Sequence, residues 1–354
     1  MASLSSGGAE HQLTILANLL AARGCEVSIV TFSDISDHYS TDKTVNRIRL
    51  AEGKNNLIKL VHLWYYLLRV STDNIIIYTQ RNSCIALPPL LFRKGVNVIC
   101  GERNLTSGKP TIYETLLCSA LYRRANYIVT NSHSQEVYLR SKYPWLSNKI
   151  KTIINYTDLN LFAPSTRQIN TVRKIGVFAR IDSQKNCLAF AKAVKKAKEQ
   201  LDEPFQVLWY GNRYNGTQLS PEYITLNDYI NEQQLSETFI ICDPVKNPII
   251  QMNNLDIICL PSLYEGFSNS IAEAICAGKP MIVSNVSDNS LMVVNKYNGF
   301  LFDPHNVNDM SLCIKEILCL SDEELIIMGQ NSRKKAEELF DKESFLNSYF
   351  SVLK

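Results

Sequence analysis

Short β-branched runs alternate with segments of helical apolar spacing along almost the whole chain, the pattern of parallel sheets built from strand–helix units. In the first half this pattern predicts strands at Glu26–Phe32, Arg47–Leu50, Asn74–Tyr78, Val96–Cys100, Asn126–Thr130 and Ile150–Ile154, with helices between them. In the second half it predicts strands at Lys174–Phe178, Gln206–Tyr210, Thr238–Ile241, Asp256–Leu260 and Pro280–Ser284. Periodicity lapses over 158–173, where a Pro and several polar residues precede a new strand. The fold class is therefore α/β, with two doubly wound units in succession: a first domain at 1–165 and a second at 166–340. A charged amphipathic helix is expected at 321–339, and a final helix within 341–354 could pack back on the first domain.

The length of 354 residues agrees with two domains at about 100–200 residues each. With 45% apolar and 20% charged residues the chain can bury ordinary cores, which excludes disorder. A net charge of +3 is too small for whole-chain affinity for nucleic acid. Its distribution is uneven: residues 1–165 hold 18 basic against 11 acidic side chains, so the first half prefers anionic surroundings. The 10 cysteines show no C-x-x-C pair and sit mostly in apolar runs, which reads as reduced thiols in a cytosolic protein. No apolar stretch approaches the roughly 18–20 residues that span a bilayer, and no signal peptide precedes the first motif, so a soluble or peripherally bound protein is expected. Only Met1–Leu4 precedes Ser5-Ser6-Gly7-Gly8, so the opening strand is expected to be either very short or cut by a chain that begins a few residues late.

Three segments carry candidate chemistry. Ser5-Ser6-Gly7-Gly8-Ala9-Glu10 leads into a helix that Gly24 is expected to cap, and glycines before a helix let backbone N–H groups approach a phosphate. A plain turn explains the same pair, and the three-glycine dinucleotide fingerprint is absent. Arg180 and Lys185 follow a second-domain strand on the loop entering the next helix, where two cations suit a diphosphate; a solvated Arg and Lys is the bland alternative. In "LPSLYEGFSNSIAEAICAGKP" a strand ends, a Gly-containing loop follows and a helix starts near Ser268. There Glu265 and Glu273 can point into one crevice while the N–H groups of Phe267, Ser268 and Asn269 face an anion.

With these residues in view, the chain resembles the retaining glycosyltransferases of family 4, whose GT-B fold sets two Rossmann-like domains around a cleft. The resemblance rests on two Glu separated by seven residues within "SLYEGF…EA…G.P", on Gly7-Gly8-Ala9-Glu10, on Arg180…Lys185-Asn186 and on Asn155 in "IINYTDLNLF". It implies that Glu273 binds the ribose of a nucleotide sugar and Glu265 a hydroxyl of the transferred sugar. It further implies that Arg180 and Lys185 hold the diphosphate, and that Gly7 and Gly8 approach it from the first domain. The segment Gly101–Gly108 is similar to one in relatives that extend lipid-linked oligosaccharides, which makes Glu102 and Arg103 candidate acceptor or sugar contacts. Departures from the family pattern are His11 in place of Arg, Asn155-Tyr156 in place of Asn-Pro, and no His after the third strand; Arg81, Asn82, Glu102 and Arg103 are the candidate substitutes. His133 is read as a capping or surface residue.

The expected activity is transfer of a hexose or N-acetylhexosamine from a nucleoside diphosphate sugar, UDP-linked by expectation, to a lipid-linked glycan in O-antigen or capsule-type synthesis. Retention comes with the resemblance, and a front-face mechanism would explain the lack of an obvious general base. No Asp-x-Asp and no metal-spaced His, Cys or Asp set occurs, so neither metal nor cofactor is expected. The alternatives are an epimerase or hydrolase on the same fold, and a module that binds sugar nucleotide or scaffolds without catalysis. Apolar helices carrying Lys59, Trp64, Tyr65, Arg69, Arg93 and Lys94 either face the first core or rest the acceptor domain on an anionic membrane, on the cytoplasmic face of the inner membrane.

Overall fold

The computed structural model describes residues 1–4, 7–103, 111–164 and 169–354. Contacts divide it into one unit of Met1–Tyr156 with Lys342–Lys354, and a second of Thr157–Asp341.

The first unit contains α1 (Gly8–Ala22), β1 (Ser28–Thr31), β2 (Asn46–Arg49), α2 (Asn56–Arg69), β3 (Asn74–Tyr78), α3 (Gln80–Leu90), β4 (Asn97–Glu102), α4 (Ile112–Ser119), β5 (Tyr127–Thr130), α5 (His133–Lys142) and β6 (Ile150–Thr152). Strands β3, β4, β5 and β6 pair in parallel in that order, and β1 pairs in parallel with β2. Val98, Ile99 and Cys100 of β4 are all fully buried, as a parallel strand covered on both faces requires. Gly24 ends α1 at φ +83° in a Schellman arrangement: Cys25 N–H donates to the Leu20 carbonyl and Gly24 N–H to that of Ala21. Met1–Leu4 is not a regular strand, yet it runs beside β1, with the Met1 ammonium on the Val30 carbonyl and the Ala2 carbonyl accepting from Phe32 and Ser33.

The second unit contains β7 (Arg173–Phe178), α6 (Cys187–Lys198), β8 (Phe205–Tyr210), a small hairpin of β9 (Tyr214–Asn215) and β10 (Gln218–Leu219), α7 (Pro221–Glu232), β11 (Phe239–Cys242), α8 (Pro248–Met252) and β12 (Ile257–Leu260). It continues with α9 (Asn269–Cys276), β13 (Met281–Ser284), α10 (Asn289–Met292), β14 (Gly299–Phe302), α11 (Val307–Leu318) and α12 (Asp322–Leu339). Six parallel strands run in the order β11-β8-β7-β12-β13-β14, so the chain winds outward from β7 on one side and from β12 on the other. Sequence patterning did not predict β14, a four-residue strand. Its Gly299 lies so close to Met281 of β13 that any side chain would collide with that residue's backbone. Helix α12 opens on a capping box, in which Ser321 and Glu324 satisfy each other's backbone N–H groups.

The final helix α13 (Lys342–Phe350) belongs to the first unit. Leu346, Tyr349 and Val352 pack there with Leu16 and Leu20 of α1, Tyr78 of β3 and Ile99 of β4.

Candidate functional site

The adjacent central strands β7 and β12 lead to helices in opposite halves of the second sheet, so their C-terminal ends form its topological switch point. In open α/β sheets that is where ligands bind. The loop after β7 carries Arg180 and Lys185; the loop after β12 carries Glu265 and Phe267 and ends at Ser268.

The two loops are stitched together. Leu263 N–H donates to the Gln184 carbonyl at 2.8 Å, and the Gln184 side chain returns a bond to the Tyr264 carbonyl at 2.9 Å. Lys185 Nζ lies 2.5 Å from Glu265 Oε1, and both side chains are largely buried, at 14% and 8% exposure. Ser287, from the loop after β13, donates to the Glu265 carbonyl. Arg180 behaves differently: its side chain is 68% exposed and lies 3.1 Å from Asp182 Oδ2. Asp182 also caps the turn that follows, accepting the Lys185 N–H on Oδ1 at 3.1 Å. Asn186 closes the turn in the left-handed region at φ +57° and donates to the Pro304 carbonyl at 2.8 Å.

Helix α9 starts beside these loops. Ser268 is its N-cap, and Ser270 in its first turn donates to the Phe178 carbonyl at the end of β7. The N-terminus of α9, with its partial positive charge, therefore opens at the same strand ends as Lys185. The Phe267 ring is buried edge-to-face against Phe340, so this residue offers its backbone rather than its side chain. Asn269 is the first residue of the helix and is partly exposed. Glu273, one turn on, is half-buried, and burial pushes its carboxyl up to about 8. The structure thus brings Arg180, Lys185, Glu265, Ser268, Asn269 and Glu273 to the C-terminal end of the second sheet, beside its central strands β7 and β12. Asp182, Gln184 and Ser287 were missed in the sequence; the Asp-x-x-Lys cap spacing was a usable signal for the first, and nothing local marks Ser287.

In the first unit Gly7 is the N-cap of α1 and Gly8 its first, exposed residue, with the Glu10 carboxylate folded back over Gly7. Ser5 and Ser6 lie outside the described residues. His11 stacks on Tyr39 at 4.7 Å between ring centres; burial, then the neighbouring His38, hold its imidazole below the ordinary value. Glu102, at the end of β4, is buried and accepts from the Tyr122 hydroxyl and from Gln80 Nε2. Burial pushes its carboxyl up to about 7. Arg103 donates to Asn155 at 3.1 Å and to the Tyr349 hydroxyl at 2.7 Å, with its guanidinium 4.2 Å from the Tyr78 ring centre. The rest of the Gly101–Gly108 segment, from residue 104, lies outside the described residues. Asn82 is buried on the Tyr78 carbonyl and the Thr79 hydroxyl, whereas Arg81 is exposed. His133 begins α5, next to the Ser132 cap.

The basic cluster expected on the first-unit helices needs correction. Lys59 is buried in an ion pair with Asp34 at 2.6 Å, because its position on α2 faces inward. Arg93 donates to the Leu67 and Val70 carbonyls, satisfying the end of α2. Arg69 and Lys94 remain exposed. Around them lies an apolar face: Leu57, Val61, Tyr65 and Leu68 fall on one stripe of α2, Phe92 is 87% exposed after α3, and Ile112 is 80% exposed at the start of α4. The Trp64 indole bonds the Ile85 carbonyl, which joins α2 to α3. Among the described residues no helix is long and apolar enough to cross a membrane, and no group of three His, Cys, Asp or Glu is placed to hold a metal. All 10 cysteines are free thiols.

Comparison with known proteins adds identity to this geometry. Residues 163–335 match the family model of glycosyl transferases group 1, and residues 6–161 that of glycosyltransferase family 4. Over 240 residues the chain is 27% identical to the UDP-Gal:alpha-D-GlcNAc-diphosphoundecaprenol alpha-1,3-galactosyltransferase of Escherichia coli, covering 63% of this chain but only 58% of that enzyme's length. Over 357 residues it is 23% identical to the N-acetylgalactosamine-N,N'-diacetylbacillosaminyl-diphospho-undecaprenol 4-alpha-N-acetylgalactosaminyltransferase of Campylobacter jejuni, covering 96% of this chain and 94% of that one. Among solved structures, sucrose-phosphate synthase from Thermosynechococcus elongatus superposes with a TM-score of 0.82 at 19% identity, over 99% of this chain and 94% of that one. Anabaena HepE, solved with UDP and glucose, gives 0.81 at 17% identity over 99% and 97%.

Proposed function

The chain belongs to the glycosyltransferases, matching family 4 over its first half and group 1 over its second, and has the GT-B fold; from that premise we propose that it transfers a hexose or N-acetylhexosamine from a UDP-linked donor to a lipid-linked glycan, with retention. One observation carries the reading: a Lys185–Glu265 pair, Arg180 and the N-terminus of α9 converge at the switch point of the second sheet. In this reading Lys185 and Arg180 take the charge that develops on the departing diphosphate, and the first-turn N–H groups of α9 add fixed dipoles. Glu265 then turns its carboxylate to the sugar, which becomes cationic as the bond to the leaving group lengthens, and Glu273 holds the ribose. The departing phosphate accepts the acceptor's proton on the same face. With side chains and helix ends supplying the positive charge, turnover needs no metal.

The activities of the two bacterial relatives, both named for diphospho-undecaprenol-linked sugars, support a lipid-linked acceptor in surface-polysaccharide synthesis. The exposed apolar face of α2, Phe92 and Ile112 supports peripheral attachment to the cytoplasmic side of the membrane. With Lys59 and Arg93 committed internally, attachment would rest on inserted apolar side chains, with Arg69 and Lys94 adding about 1 kcal/mol each near anionic lipid.

The test supplies purified protein with UDP-linked glucose, galactose, GlcNAc and GalNAc, undecaprenyl-diphosphate glycans and EDTA. Transfer of one of these sugars, with the donor's anomeric configuration kept in the product by NMR, is expected. Loss of donor without acceptor points to a hydrolase, interconversion of donors to an epimerase, and donor binding without turnover to a non-catalytic module. In the same preparation Phe92→Ser with Leu57→Ser should lower liposome flotation more than Lys94→Glu does; the reverse order would make attachment electrostatic.

A further inference from the structure

We infer that Asp182 is the positioning residue of the diphosphate site, acting through its cap on the Lys185 backbone rather than through its charge. The inference rests on reading the loop after β7 as the site of the donor diphosphate.

That loop carries both cations, and each sits differently. Lys185 is held at its side-chain end by Glu265, and the middle and end of the turn are pinned by Gln184 on Tyr264 and by Asn186 on Pro304. At the start of the turn Ile181 is held by the Asn212 carbonyl and the Ser220 hydroxyl, and Asp182 adds the side-chain fastening: Oδ1 accepts the Lys185 N–H at 3.1 Å, sharing it with the Asp182 backbone carbonyl, while Oδ2 lies 3.1 Å from Arg180 Nη2. Among the described residues Asp182 is the only ion-pair partner of Arg180 and the only side chain that touches both cation-bearing residues.

The two contacts pull in opposite directions on an anionic ligand. The cap on Lys185 N–H fixes the turn, which favours binding by removing the cost of ordering the loop. The carboxylate beside Arg180 neutralises part of the charge that a diphosphate would meet, which disfavours binding. Arg180 is 68% exposed, so its pairing with Asp182 is weak in water and a diphosphate displaces it readily. The cap lies against the backbone and persists whether or not an anion is present. The net effect of Asp182 is therefore organisational.

The substitutions separate the two effects. Asp182→Asn and Asp182→Ser keep a side-chain acceptor for the Lys185 N–H and delete the charge; Asp182→Ala deletes both and leaves only the backbone carbonyl of residue 182 to that N–H. Isothermal titration with UDP, GDP and ADP identifies the tightest nucleotide for the wild-type protein, and its own nucleoside, followed by ligand-observed NMR, reports on the part of the site that holds no phosphate. Asp182→Ala should weaken the diphosphate about tenfold, the size of a lost helix cap, and leave the nucleoside unchanged. Asp182→Asn and Asp182→Ser should stay within about threefold of wild type. A fall in Asp182→Asn as large as in Asp182→Ala assigns the effect to charge and overturns the inference, as does a parallel fall in nucleoside binding. If Arg180→Ala and Lys185→Ala weaken the diphosphate while Asp182→Ala does not, Asp182 alone is misassigned. If none of the three nucleotides binds the wild-type protein, or neither cation variant matters, the reading of the loop falls and the inference with it.

Discussion

At the end of β4, Glu102 takes Tyr122 on one carboxyl oxygen and Gln80 on the other, and Arg103 is shared among Asn155, Tyr349 and the face of Tyr78. At the ends of β7 and β12, Lys185 and Glu265 meet as a pair, fastened chiefly through the backbone around them. In sequence the two sets look alike, each an acid and a base following a parallel strand. Burial does not separate them either, since Glu102 and Glu265 are both buried. What differs is how many side-chain valences are already spoken for. In the first unit they tie the strand end to α13 and to neighbouring aromatic rings, and so hold the fold together. In the second the two side chains have, among the described residues, only each other, and in the proposed function Lys185 exchanges the carboxylate for a phosphate. If the proposed function holds, the number of partners, more than charge or burial, is what separates the two sets.

The comparison is tested most severely at Lys185. Lys185→Ala should lower turnover by about 10² or more, the usual cost of losing a preorganised charge. It should also destabilise the protein by roughly 3 kcal/mol, because Glu265 is left buried without its partner. Adding Glu265→Gln should recover part of that stability and none of the turnover, in a double-mutant cycle read by urea denaturation and steady-state kinetics. Arg180→Ala should lose turnover with stability unchanged, since its side chain is exposed. Equal stability losses for the two cation variants would show that the Lys185 pair is no more than a solvated contact.

In the first unit stability alone should suffer. Arg103→Ala removes two hydrogen bonds and a stacked guanidinium, and should cost about 3 kcal/mol of stability while nucleotide affinity of the folded protein is retained. Chemical denaturation followed by titration of the refolded fraction reads both quantities. Preserved stability with lost acceptor use would instead return Arg103 to the site.

The smallest expected effect is at Glu273. Burial raises its carboxyl to about 8, above the unfolded value, so between roughly pH 4.5 and 8 the folded chain keeps a proton that the unfolded chain has released. Stability contributed by this residue therefore falls as pH rises through that window. Glu273→Gln should match the wild-type melting temperature near about pH 5 and exceed it near about pH 9, by the equivalent of about 1 kcal/mol. A difference that does not change with pH would mean the carboxyl is already ionised in the folded protein.

Much of the site was legible because its signals are local. Ser268 before α9, the Glu265 and Glu273 spacing and the cations after β7 are all set within one turn of a helix or one loop. Other features were hidden by the same logic. Lys59 and Arg93 read as surface charges in a basic, apolar stretch, yet one turns inward to Asp34 and the other satisfies the end of α2. Which way a long side chain goes depends on what stands beside it, and its own neighbours in sequence do not say. Strand β14 escaped notice because four residues between Asn298 and Asp303 carry too little periodicity to register.

By itself the sequence determined most of the succession of strands and helices, the cap at Gly24, the amphipathic helix that became α12 and the α/β class, since periodicity and capping act over a few residues. Only the tertiary structure decided that β12 pairs with β7 rather than with β11, and hence that Lys185 meets Glu265 across 80 residues of chain. It also decided that Ser287 secures the Glu265 loop and that Arg103 is held by a helix from the far end of the chain. Strand order is chosen by burial of whole faces and by non-local pairing, so the contacts it creates leave no mark in any short window of sequence.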